Sequence, residues 1–397
     1  METSKDYTGF NPTIRFRIII FLAVSTVSFG IFYIRDVNLN EIRQYISNYR
    51  NFVILSMTGH SKLYSNFTDF RNHFISGHIL LNKNKKYEII IYGHMLVTLN
   101  RDLTNCPVNN CIIHSDARRW ISGDLILITD RLFPPGKRPV SQAWVAHEYE
   151  SAFHTRFSNE INDKINFTAI YRFDSTIRTP YGMYTPFERR TNNSDRTLAP
   201  RRLENMANGK NRSVAWIVSN CNPRSPRKAY ADELAKHITV DVYGRCGQMT
   251  CSGSDCFNMI RKYYKFYLSF ENSLCQDYIT EKFFFNALMN NAIPIVMGAS
   301  IEEYQKVSPP HSFIHVDQFE NPKELASYLK YLDKNDTAYN EYFTWHNEGV
   351  VTLWSFKPEC EFCLLANALP YLKPTMHDNF IYWLKDGCKN RKLRWTN

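Results

Sequence analysis

Between Tyr263 and Gly298 the chain reads YYKFYLSFENSLCQDYITEKFFFNALMNNAIPIVMG, and its pattern of apolar and polar positions changes period three times. Alternating aromatic and aliphatic residues predict a strand over Tyr264–Phe270, and polar residues predict a turn over Glu271–Asp277. Helical spacing then predicts an amphipathic helix from about Ile279 to Asn290, and an apolar run predicts a buried strand over Ala292–Met297. The same rhythm flanks this unit. A strand over Ser213–Asn220, a helix over Ala229–His237 and a strand over Ile238–Tyr243 precede it, and a strand over Phe313–Val316 and a helix over Pro322–Leu332 follow. Strand alternating with helix implies a Rossmann-like α/β domain. Earlier in the chain, short apolar runs at Glu88–Tyr92, Asp124–Thr129, Gln142–His147 and Asn166–Tyr171 suit the strands of another α/β domain. The polar, basic stretch Thr191–Asn211 reads as the connection between the two, with a helix over Leu198–Ala207 as an alternative.

Near the start the pattern is different in kind. Ile18–Ile34 carries no charge and follows Arg15 and Arg17. As a helix it spans about 26 Å, slightly short of a ~30 Å hydrocarbon core, and Phe16 with the flanking Arg17 and Arg35 extends its reach. The expectation is a transmembrane signal anchor rather than a cleaved signal peptide, because the run is long and no A-x-A site follows. Positive charge ahead of the span puts residues 1–17 in the cytosol and everything after Arg35 in the lumen, with 35–62 as a stem.

Two features agree with a luminal body. Glycosylation acceptor sequons stand at Asn66, Asn166, Asn192, Asn211 and Asn335, all after the apolar run. The 10 cysteines lie partly in close local groups: Cys106 with Cys111, Cys246 with Cys251 and Cys256, and Cys360 with Cys363. In an oxidising compartment such groups read as disulfide staples. The rival reading of Cys360-x-x-Cys363 is half a zinc site, but no second C-x-x-C or His pair completes a tetrahedral set. At 397 residues the chain has room for two domains, and its formal charge of +10 suits an anionic ligand. No nucleic-acid-binding signature accompanies that charge. GxGxxG, GxxxxGK[ST] and D-x-D are all absent, so neither a dinucleotide fingerprint, nor a P-loop, nor the paired aspartates that hold a metal on a diphosphate are present. Side-chain cations and helix N-termini are left to neutralise a bound diphosphate.

The wording FYLSFENSLCQDYITEKFFFNAL, followed by PIVMGAS and SFIHVDQF and preceded by VSNCNPRSPRKAY, YRFDSTIRTPYG and WVAHEYESAFHT, resembles the α1,3-fucosyltransferases of glycosyltransferase family 10. The YGRCG…C…C arrangement at Tyr243–Cys256 and PPHSFIHVD are most similar to the invertebrate and plant core-type branch. The resemblance implies a GT-B fold of two facing Rossmann-like domains, an acceptor domain over 63–200 and a donor domain over 201–353, followed by a disulfide-stapled tail over 354–397; Cys106, Cys111, Cys360 and Cys363 are expected to be disulfide-bonded. It implies an inverting enzyme that moves L-fucose from GDP-β-L-fucose to the 3-hydroxyl of GlcNAc, in the core or a LacNAc or LacdiNAc antenna, on glycoproteins or glycolipids. A single-pass type II Golgi membrane protein is the expected setting. No cofactor is required, stimulation by Mn or Mg is left open, and so is the oligomeric state.

Each matched position has its own chemistry. Glu150 falls where the family has its general base, at the end of the Gln142–His147 strand; Glu148 is its neighbour and rival, and Ala152 replaces the usual Pro. A sugar hydroxyl is a poor nucleophile near neutral pH, so a placed carboxylate must take its proton as the new bond forms. Arg227 and Lys282 match the two cations that hold the diphosphate, each near a helix start. For Lys282 the plain alternative is a salt bridge with Asp277 or Asp255. Glu281 matches a ribose-binding carboxylate. Tyr267, Asn272 and Tyr278 match nucleotide contacts, although Tyr267 equally suits a strand's core face. Ser219 and Asn220 match donor contacts, with Cys221 where much of the family has Trp. Asp174 and Ser175 suit cleft-shaping and structural roles alike. A different class of function is a membrane-tethered glycan- or nucleotide-binding protein that keeps the fold without catalysis, and the departures at Ala152 and Cys221 are what would favour it.

Overall fold

The computed structural model describes residues 63–79, 81–82, 84–93, 99–187, 204–353, 357–389 and 391–396. The predicted anchor Ile18–Ile34, the stem, the sequon at Asn192 and most of the basic connection lie outside them. Among the described residues no helix is long and apolar enough to cross a membrane.

Helix α1 (Phe67–Ile75) opens the body, its N-terminus capped by the Asn66 side chain accepting from the Asp69 N–H. Six strands follow: β1 (Tyr87–Tyr92), β2 (Cys111–His114), β3 (Leu125–Ile128), β4 (Ala143–His147), β5 (Phe167–Ile170) and β6 (Ile177–Arg178). They form one sheet in the order β2-β1-β3-β4-β5-β6, parallel throughout. The unbroken apolar strings LILI in β3 and AWVAH in β4 are buried at every position, as a sheet covered on both faces requires.

Strand β7 (Gly182–Pro186) leaves this sheet. The second sheet is built from β8 (Arg212–Ile217), α2 (Arg227–Ala235), β9 (Val240–Tyr243), α3 (Gly253–Tyr263), β10 (Tyr264–Phe270) and β11 (Ile293–Met297), continuing through α4 (Ile301–Val307), β12 (Ile314–His315), α5 (Pro322–Lys334) and α6 (Asp336–Glu341). Its strands are parallel in the order β12-β11-β10-β8-β9. Strand order therefore reverses between β8 and β10, and a crevice opens beyond their carboxyl ends. Strand β13 (Gly349–Leu353) returns to pair antiparallel with β7, and α7 (Pro358–Ala368) and α8 (Phe380–Lys389) close the chain. A continuous core joins the two sheets: Ile90, Trp144 and Tyr171 of the first pack in one cluster with Tyr278, Phe283 and Val296 of the second.

The predicted strand Tyr264–Phe270 forms with those bounds, while the predicted helix over Ile279–Asn290 does not form as an α-helix. Lys282–Ala287 winds as a π-helix, Leu288–Asn290 as a 3-10 turn, and Asn291 ends it with φ 54°. A wider turn brings Phe283, Phe284, Asn286 and Ala287 into the interior together, more than one α-helical stripe accommodates. Close approach permits this: a Cβ on Gly182 would stand 2.4 Å from the Phe284 ring. Residues 204–207 of the alternative helix are not helical.

Cys251 bonds Cys256 within its local group as the spacing suggests, but two other groups pair otherwise. Cys106 bonds Cys360 and Cys111 bonds Cys363, across 254 and 252 residues, so the two groups read as local staples are cross-linked to each other. Cys360 and Cys363 sit three apart on one helix, bonding Cys106 in the β1–β2 connection and Cys111 at the start of β2. Cys221–Cys246, Cys251–Cys256 and Cys275–Cys388 complete the set. Of the described sequons, Asn66 and Asn211 are exposed. The Asn166 amide instead donates to Thr375 O at 2.7 Å, and the Asn66 and Asn335 side chains cap helices.

Candidate active site

Two loops leave the switch point of the second sheet, Ser219–Asn222 after β8 and Glu271–Ser273 after β10. Arg227, the first residue of α2, is 3% exposed and ties them together: Nη1 donates to Phe270 O and Nη2 to Asn220 O, both at 2.9 Å. Its Nε is buried with no partner among the described residues. Burial lowers the guanidinium's pKa, Glu271 opposes that, and the group remains a cation. Arg224 N and Ser225 N both donate to Asn272 O at 3.0 Å, fixing the second loop from below.

Lys282 starts the π-helical turn with its ammonium between two carboxylates. Nζ lies 2.8 Å from Thr280 Oγ1, 3.1 Å from Glu281 Oε1 and 3.1 Å from Glu271 Oε2. Asp277 and Asp255 are not its partners. Glu271 is fully buried and also accepts from Thr280 N at 2.8 Å. Burial pushes the Glu271 carboxyl up, with Lys282 opposing. Burial would lower the Lys282 pKa, but the two carboxylates override it and raise it. Glu281, the more open carboxylate at 43% side-chain exposure, is pushed up by burial and brought below its usual value by Lys282.

On the opposite wall, the loop after β4 carries two carboxylates with different fates. Glu148 is 2% exposed and turns inward, accepting from Tyr149 N at 2.9 Å, Glu150 N at 3.0 Å and Thr155 Oγ1 at 3.0 Å. Glu150 is exposed and reaches across: Oε2 accepts from Asn272 Nδ2 at 3.2 Å and from the Tyr278 hydroxyl at 3.4 Å. Glu148 shapes the loop, and Glu150 is the carboxylate that faces the switch point. Ser151 Oγ meets Ser273 Oγ at 2.8 Å, and His154 Nδ1 lies 3.1 Å from each.

The structure thus gathers Glu150, Asn220, Arg227, Asn272, Tyr278, Glu281 and Lys282 at one crevice, with Ser219 exposed at the end of β8. Tyr267 is the exception. It is fully buried within β10, its hydroxyl held by Asn286 Nδ2 at 3.0 Å, and it does not reach the crevice. Mid-strand, its side chain points to the core face, which fits the core reading rather than nucleotide contact. Asp174 is engaged by Arg172 at 2.8 and 2.7 Å and Ser175 by backbone, both structural. Cys221, in place of the family's Trp, is bonded to Cys246, and Ala152 is buried at 1% exposure. Sequence reasoning gave no role to Thr280, Ser273 or His154; their only signal was membership of the same quoted motifs. Among the described residues no cluster of His, Cys, Asp and Glu is arranged to hold a metal ion.

Two doubly wound sheets sharing one crevice, with cations beneath one wall and an open carboxylate on the other, describe an α/β group-transfer enzyme. Sequence comparison gives the family. The model of glycosyltransferase family 10 (fucosyltransferase), C-terminal part, matches residues 207–378, and that of the fucosyltransferase N-terminal part matches 83–182. The chain belongs to glycosyltransferase family 10, the fucosyltransferases. It is 42% identical over 280 residues to glycoprotein 3-alpha-L-fucosyltransferase A of Drosophila melanogaster, covering 68% of this chain and 54% of that one. It therefore spans about half the length of the Drosophila protein. It is 36% identical to the human 3-galactosyl-N-acetylglucosaminide 4-alpha-L-fucosyltransferase FUT3, over 68% of this chain and 74% of the human one. With alpha-(1,3)-fucosyltransferase fut-1 of Caenorhabditis elegans it shares 34% identity over 72% and 68% of the two chains. Among solved structures, an α1,3-fucosyltransferase with GDP-fucose matches 74% of this chain and 93% of its own at 18% identity and a TM-score of 0.48.

Proposed function

We propose that this protein is an inverting α1,3-fucosyltransferase of GT-B type, taking L-fucose from GDP-β-L-fucose to the 3-hydroxyl of GlcNAc in the core or an antenna of glycoprotein glycans. It works from a luminal body anchored in the Golgi membrane by Ile18–Ile34. The observation that carries the reading is Glu150: an open carboxylate held by Asn272 and Tyr278 against the loops that Arg227 and Lys282 organise.

In one displacement the acceptor O3 attacks fucose C1 from the Glu150 side, and the O3 proton passes to the Glu150 carboxylate. The bond from C1 to the phosphate oxygen breaks with its electron pair, and GDP departs. The Arg227 guanidinium and the N-terminus of α2 supply positive charge where that pair arrives, and Lys282, its charge balanced by Glu271, offers an N–H donor there. Attack on the face opposite the leaving group inverts the anomeric centre. Glu281, with acceptor lone pairs free at the crevice edge, suits the ribose hydroxyls.

Glu150→Gln keeps the shape and removes the base. Fucose transfer is expected to fall by a factor of about 100 or more, with GDP affinity by calorimetry changed less than about twofold. Turnover close to that of the parent would remove Glu150 from the role. Release of GDP only in the presence of acceptor glycan separates transfer from mere binding.

A further inference from the structure

His154 bridges the two walls of the crevice, and none of the roles above uses it. Its ring is pinned at both nitrogens. Nδ1 lies 3.1 Å from Ser151 Oγ, on the Glu150 loop, and 3.1 Å from Ser273 Oγ, on the loop after β10. Nε2 lies 3.4 Å from Asn220 Nδ2, on the loop after β8. Asn220 Oδ1 already accepts from the Asn222 N–H, so the side of Asn220 that faces the imidazole is its donor. Nε2 must then be the acceptor, and Nδ1 carries the proton and donates to the serines. The two serines are fully buried and 2.8 Å apart.

We propose that His154, as a neutral imidazole, is the positioning residue that fastens the loop carrying Glu150 to the two loops at the switch point. It sets where the Glu150 carboxylate stands relative to a bound donor, and movement of the Asn220 loop on donor binding reaches Glu150 through this ring. The inference rests on Glu150 being the base. A second proton on the ring would set N–H against the Asn220 N–H and break the link. Burial lowers the pKa of His154; Glu150 opposes that from its own loop, and Arg227 and Arg224 reinforce it from the second sheet. The neutral, fastened form is therefore favoured by its surroundings, and acid opens it.

The test compares His154→Ala, His154→Gln and Ser273→Ala in the full protein, alone and combined with Glu150→Gln. Turnover with GDP-fucose and acceptor glycan is expected to drop about tenfold or more in His154→Ala, with GDP affinity held within about twofold, since misplacing a reacting group by an ångström is costly to rate and not to binding. His154→Gln, uncharged at every pH, should recover part of the turnover and lose the parent's decline on the acid side that stems from the ring. In the Glu150→Gln background the His154 changes should have no further effect. Parental turnover in both His154 variants, or a fall in GDP affinity equal to the fall in turnover, would overturn the proposal. An inactive Glu150→Gln beside a fully active His154→Ala discards only the positioning role. An active Glu150→Gln discards the base reading and this one with it.

Discussion

Lys282 illustrates why a charged side chain at this crevice cannot be judged by its own charge. With Glu271 and Glu281 both ionised, the cluster carries one net negative charge, which a diphosphate would oppose. Glu281, the open partner, is the group that can turn away to the ribose, leaving Lys282 and the buried Glu271 as a neutral pair facing the phosphates. Lys282→Met made together with Glu271→Gln avoids stranding a buried carboxylate, whose isolation alone costs about 3 kcal/mol or more. In that double variant GDP affinity is expected to fall at least about tenfold, the worth of one charge-assisted contact. Unchanged affinity by calorimetry would place the diphosphate elsewhere. The participants in this cluster were partly legible from the sequence: Glu281 and Lys282 stand side by side in YITEK. The pairing with Glu271 was not, because ten intervening residues have to fold back before the two meet. Glu150 was favoured over Glu148 by its motif frame alone, and the inward turn of Glu148 now separates them by geometry.

Secondary elements were most legible where one signal sufficed. Strand β10 shows its alternation and coincides with its predicted bounds, and α5 announces itself by Asn321 as cap with Pro322 at the first position. Strands β2 and β6 were missed, and β12 is shorter than the predicted Phe313–Val316, because neighbours rather than propensity hold these strands. The π-helical turn is the instructive departure: its hydrophobic pattern is helical, but the three aromatic residues Phe283–Phe285 compete for burial, and the winding yields. Gly182 makes room for the result. Gly182→Ala drives a methyl into the Phe284 ring, which lies 2.4 Å from the would-be Cβ. Overpacking of this kind costs about 1–3 kcal/mol, so the urea midpoint should drop. Because Lys282 begins the same turn, GDP binding should weaken too; a stability loss with GDP binding intact would show that the turn absorbs the strain locally.

The two sheets are more closely bound than the expected pair of domains joined by one connection. They share a core, the β7–β13 ribbon carries chain from each, and α7 returns to pack on β1 with Phe362 and Leu365 fully buried. Two interleaved bridges, Cys106–Cys360 and Cys111–Cys363, secure that return. In a chain-entropy account the first, closing some 250 residues, contributes about 5 kcal/mol, and the second, closing a ring of about ten, contributes about 3. Replacing Cys111 and Cys363 by Ala should then cost about 3 kcal/mol, and replacing all four cysteines about 8, more than twice the single loss. Equal, additive losses in chemical denaturation would contradict this coupling of the two bridges.

That arrangement also bears on synthesis. The strands of the first sheet leave the ribosome early, yet a face of that sheet stays uncovered, and Cys106 and Cys111 stay without their native partners, until Cys360 and Cys363 arrive some 250 residues later. The strands of the second sheet, which lie wholly between those cysteines, have all emerged by then. The earliest part of the body to emerge is thus finished late, and an oxidant or chaperone that meets the nascent chain meets it with the first two cysteines still waiting for their partners.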